Sequence, residues 1–93
     1  MVTLGLADRL ELLPASVRLV GQDLLVARPG PWLDVERLTG SGPLLWGLFG
    51  EGLDLEGAAR SAAATAGVAV EATRADVIAF ATALVARDLA RLA

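Results

Sequence analysis

The hydrophobic period of this 93-residue chain changes close to Arg37, and that change decides its fold class. Before it, "SVRLVGQDLLVAR" holds two short apolar runs about a glycine turn and "WLDVER" alternates at every second position, both signs of strands. After it apolar residues recur every three to four positions, the period of a helix. Strands laid down first and helices afterwards predict an α+β domain. The expectation is a three-stranded antiparallel sheet followed by three helices, in a winged helix-turn-helix-like order.

The strand region carries its own punctuation. Gly21-Gln22 separates two apolar runs, and glycine first in a two-residue loop suits a type II′ hairpin turn. In "RPGPW", Pro29 and Gly30 favour a turn, and Pro31 cannot donate to a ladder. "WLDVER" then alternates, with Leu33 and Val35 on one face and Trp32, Asp34 and Glu36 on the other. A bulge near Asp34 would exchange those faces. A proline-flanked strand with three charges reads as an edge strand. Residues 1–14, closed by Pro14, read as a weakly ordered lead-in to a domain spanning 15–93.

The helical region divides at its glycines. "TGSGPLLWGLFGEG" offers a cap at Ser41 or Gly42, a proline in the first turn, and a core face of Leu45, Trp46 and Phe49. "DLEGAARSAAATAG" starts at Asp54, stays small-faced, and stops at Gly67. "VAVEA" reads as a connector. "TRADVIAFATALVARDLARL" reads as a last helix over 73–92, begun by a capping-box-like Thr73 and Asp76. Val77, Phe80 and Leu84 form one of its stripes. Ile78, Ala81, Val85, Leu89 and Leu92 form another, with Arg74 at its mouth. Together the stripes cover about 180° of the helix, where packing on one core needs roughly 100°. Either the domain's own sheet and helices contact both stripes, or the second stripe is left for a partner.

Composition narrows the function. Histidine, cysteine, lysine, tyrosine and asparagine are absent, which removes the usual bases and tunable nucleophiles. No two acids sit where a catalytic cleft is suggested, and the usual nitrogen and sulfur ligands of zinc are missing. These features argue against an enzyme, a metal site or a cofactor. The eight basic residues are scattered arginines in a chain of net charge −3, a poor match to a phosphate backbone. No apolar run reaches the ~20 residues of a membrane span, and the start lacks a secretory-signal pattern. The expected location is cytoplasmic.

The order and spacing of these pieces resemble the PqqD-like family, the leader-recognition domains (RiPP recognition elements) of ribosomally made, modified peptides. The likeness covers roughly residues 15–92. It is carried by Leu38, Gly42 and Trp46, the glycine stop, the acid-capped second helix, and Asp76-Val77 with Phe80, Leu84 and Leu89. Within the family the chain looks most like the stand-alone recognition protein of lasso-peptide biosynthesis. Thr39 stands where members often carry asparagine, and the segment from Gly30 to Leu38 is longer than usual.

The resemblance implies binding without chemistry. A precursor's leader would add as an antiparallel strand to the third strand, in the cleft beside the last helix. The implied site is Leu33, Asp34, Val35, Glu36 and Arg37 on the strand, with Arg74, Val77, Ile78, Ala81 and Val85 on the helix. The implied partners are the leader peptide, a transglutaminase-like leader peptidase and an asparagine-synthetase-like macrocyclase. Two other readings share the topology: a winged-helix DNA binder, which needs a basic recognition helix, and a homodimer that buries the second stripe.

Overall fold

The computed structural model describes residues 3–30 and 34–93. Its elements are β1 (Leu10–Leu12), β2 (Ser16–Val20), β3 (Asp23–Ala27), β4 (Val35–Leu38), α1 (Gly42–Gly50), α2 (Leu55–Ala66), α3 (Val70–Ala86) and β5 (Ala90–Leu92). The class is α+β: a three-stranded antiparallel sheet, order β2-β3-β4, with three helices.

The sheet follows from its turn and its pleat. Val20 faces Asp23, so the β2–β3 loop has two residues, and Gly21 takes φ +63°. Gln22 stays at negative φ, which makes the turn type II′. Leu24 faces Leu38 and Val26 faces Glu36, so these four share the inward side, where Val26 and Leu38 are buried. Val35 and Arg37 point outward, and Arg37 there meets Asp23 at 2.6 Å. The strand expected over 32–37 is described as Val35–Leu38, and Trp32 and Leu33 lie outside the described residues.

Two helices start and stop where their residues ask them to. The Asp54 carboxylate accepts the Gly57 N–H at 2.7 Å, and Gly67 closes α2 at φ +70°. Leu45, Leu48 and Phe49 of α1 are buried, while Trp46, expected in the core, is half-buried against it. Ser41 sits at the N-cap of α1 without a side-chain cap bond.

The third helix departs from expectation at both ends. It begins at Val70, inside the supposed connector, with Ala69 at an N-cap that has no side-chain bond. Val70 packs against the core from this first turn, and that burial outweighs the roughly 1 kcal/mol that a cap at Thr73 offers. The helix stops at Ala86 rather than running to 92. Asp88 adopts the left-handed conformation at φ +56°. Its N–H donates to the Val85 carbonyl (3.1 Å), and the Leu89 N–H donates to Leu84 (2.9 Å). This is a Schellman motif with aspartate in the usual glycine position, completed by buried Leu84 and Leu89.

Release from the helix lets residues 90–92 pair with residues 10–12 as an antiparallel ribbon. Arg91 and Glu11 reinforce it with two hydrogen bonds of 3.0 Å. The described part of the expected lead-in is thus built into the domain: Leu4 and Leu10 belong to the core. The carbonyls of Asp8 and Leu6 accept the N–H groups of Leu55 and Glu56, each at 2.9 Å. These donors open α2 and have no partner within the helix, so the N-terminal segment caps it.

Candidate peptide-binding cleft

The hydrogen-bond parity of β4 determines what its outer edge offers. Arg28 donates its N–H to the Asp34 carbonyl at 3.2 Å, in the register that pairs Val26 with Glu36 and Leu24 with Leu38. In an antiparallel ladder such bonded pairs alternate with non-bonded ones. Residues 34, 36 and 38 thus turn their backbone groups toward β3. Val35 and Arg37 turn theirs to the other side, where no backbone partner meets them among the described residues.

That open edge borders a cleft of about 250 Å³ between β4 and the C-terminal half of α3. Leu38, Phe80, Ala83, Leu84 and Leu89 supply its apolar lining, and Glu36, Arg37, Thr39 and Arg87 its polar rim. Phe80 is braced by Phe49, with ring centroids 6.1 Å apart and planes 25° from parallel. Gly42 permits this approach, because a Cβ there would stand 3.2 Å from Leu38 and 3.4 Å from the Phe80 ring. At the other end Arg87 Nε meets Glu36 at 2.7 Å. Arg28 joins Asp34 (3.0 Å) to Asp88 (3.2 Å), tying the end of α3 to the sheet.

The expected site residues divide into two groups. Glu36 and Arg37 line the cleft, Val35 contributes its backbone edge, and Asp34 holds the clasp with Arg28. Leu33 lies outside the described residues. The helical set is displaced. Val77 and Ala81 are fully buried, and Ile78 and Val85 are half-buried against the core; none of the four lines the cleft. Arg74 is not at its mouth either, because it makes bonds of 2.7 and 3.0 Å with the Glu56 carboxylate of α2. That hydrogen bonding holds the Glu56 carboxyl below its ordinary range and raises Arg74, against a smaller opposing effect of desolvation.

The pair also explains the displacement. Arg74 is drawn to α2, and Ile78 and Ala81, one and two turns on, follow the same side. The buried alanines of α2 (Ala58, Ala59, Ala62 and Ala63) allow close approach there. The stripe left for the cleft is Phe80, Ala83, Leu84 and Arg87, at helical spacing i, i+3, i+4, i+7. None of these four is in the expected site: Phe80 and Leu84 fall on the first stripe, and the signal for Ala83 and Arg87 is their spacing from Phe80.

Six of the eight arginines face a carboxylate on the protein's own surface, both α3-side arginines, Arg74 and Arg87, among them. Among the described residues there is no cluster of potential metal ligands and no helix long and apolar enough to cross a membrane. No family model, curated protein or solved structure matches the chain.

Proposed function

We propose that this chain is a PqqD-like recognition element with a winged helix-turn-helix-like arrangement. It binds the leader of a ribosomally synthesised precursor by β-strand addition to β4. It then presents the precursor to a separate leader peptidase and macrocyclase of a lasso-peptide pathway, in the cytoplasm, and performs no chemistry itself. The observation that carries this reading is the open Val35–Arg37 backbone beside a cleft floored by Phe80 and Leu84. Backbone bonds to such an edge supply affinity, and the cleft supplies selectivity.

The DNA-binding alternative loses support because Arg74 is committed to Glu56 and the chain, at net charge −3, offers no cluster of cations for phosphates. The homodimer alternative loses support, since Ala81 is fully buried and Ile78 and Val85 are half-buried against the chain's own core. Calorimetric titration with the leader peptide of a candidate precursor, beside a duplex-DNA shift assay, tests all three readings. The expected result is a one-to-one isotherm with a Kd from about 0.1 to 10 μM, because ordering a flexible strand offsets much of the contact energy. Leader cleavage by the partner peptidase, at sub-saturating precursor, should accelerate when this protein is added. A DNA shift without a peptide isotherm contradicts the proposal.

A further inference from the structure

The cleft is graded along its length, and the grading has a register. Leu38 of β4 lies near Phe80, as the contacts of Gly42 show, while Glu36 meets Arg87 and Asp34 is joined to Asp88 through Arg28. Thus α3 descends past β4 in the opposite sense, from an apolar end to a charged end. In a strand added antiparallel to β4, each residue shares a face with the β4 residue directly opposite. The residues facing Leu38 and Glu36 therefore point into the cleft, two positions apart. The one facing Leu38 comes first in the added strand.

Charge distinguishes the second position. Arg87 contacts Glu36 through Nε, and its Nη1 and Nη2 carry no hydrogen bond among the described residues. A guanidinium offers five N–H donors, so a second carboxylate can engage Arg87 without displacing Glu36. Arg87 is also the more exposed member, 52% against 34% for Glu36. Arg37 points to the other face and is paired with Asp23, so Arg87 is the arginine whose side chain shares the cleft with Glu36.

We infer that the strand seated on β4 carries an apolar side chain and, two residues toward its C-terminus, a carboxylate. The first is read by Leu38, Phe80 and Leu84, and the second by Arg87. This rests on β4 being the acceptor edge, and it specifies the sequence class that edge selects.

A displayed library of random linear peptides, selected in parallel on the wild-type chain and on Arg87→Glu and Arg87→Gln, tests it. Wild-type pools should align on an apolar residue followed two positions later by Asp or Glu. Pools from Arg87→Glu should carry Lys or Arg at that second position and bind acidic peptides about tenfold more weakly. Arg87→Gln should lose the acidic preference without gaining a basic one. Circular dichroism checks that each variant is folded. Selected peptides that slow amide exchange at Val35 and Arg37 but lack the spacing, or keep their acid preference on Arg87→Glu, overturn this inference alone. Peptides that bind without slowing those amides, or a library yielding no binder, overturn it together with the acceptor-edge reading.

Discussion

Two alanines of α3, Ala81 and Ala83, stand two residues apart and live in different environments. Ala81 is fully buried on the side held to α2 by the Arg74–Glu56 pair. Ala83 is half-buried and lines the cleft with Phe80, Leu84 and Arg87. One face of the helix is saturated by the chain's own contacts, and the other borders empty volume. An apolar arc wider than one core needs does not reveal which part is surplus. The neighbour that arrives first in space decides it, and here that neighbour is α2.

The same substitution at both positions gives the sharpest contrast. Ala81→Arg should destabilise by on the order of 4 kcal/mol or more, since it overpacks a close helix contact and buries a charge. In a domain of marginal stability this leaves much of the chain unfolded by circular dichroism. Ala83→Arg should leave the melting temperature nearly unchanged and abolish peptide binding. Equal unfolding by both variants would erase the distinction between the faces.

Removing apolar bulk below the cleft should have the next largest effect. Leu89→Ala should cost about 2–5 kcal/mol in denaturant unfolding. Leu89 is fully buried, and it completes the turn that releases β5 from α3. A cost under 1 kcal/mol would mean that the β1–β5 ribbon forms without this anchor.

The polar fastening of the buried face predicts a pH dependence. Hydrogen bonds from Arg74 and Arg91 depress the carboxyls of Glu56 and Glu11. A carboxylate depressed on folding contributes stability above its unfolded pKa, about 4.3, and loses it as pH falls through the folded value. Melting temperature should therefore fall below about pH 4.3, and Glu56→Gln should fall less steeply over that range. Identical acid limbs for the two proteins would remove Glu56 from the account. Arg74→Glu should lower the melting temperature at neutral pH without changing peptide affinity, because Arg74 is committed to α2.

Local chemistry was legible in the sequence where one residue decides a conformation. Gly21 set the hairpin, Asp54 capped α2, and Gly67 ended it. The β1–β5 ribbon was not legible, because its residues are 80 positions apart in the Glu11–Arg91 bond. Nor was the end of α3, where Asp88 does without strain relief from glycine what Gly67 does for α2. In the site, the edge strand was readable from its prolines and charges. The inward placement of Glu36 followed from Leu38, the last apolar residue of the strand, rather than from Leu33 and Val35.

On the proposed function, β4 keeps its outer edge for a strand from another chain, whereas β1 has its partner in β5. Amide hydrogen exchange, resolved by residue with and without a saturating β4-directed peptide, tests it most directly. The bonded pair of Glu36 with Val26 already occupies the Glu36 N–H, whereas the Val35 and Arg37 N–H groups face outward. On peptide saturation, exchange at Val35 and Arg37 should slow by about tenfold or more, with little change at Glu36. Saturation seen by calorimetry with Val35 and Arg37 still exchanging at their free rates would contradict it.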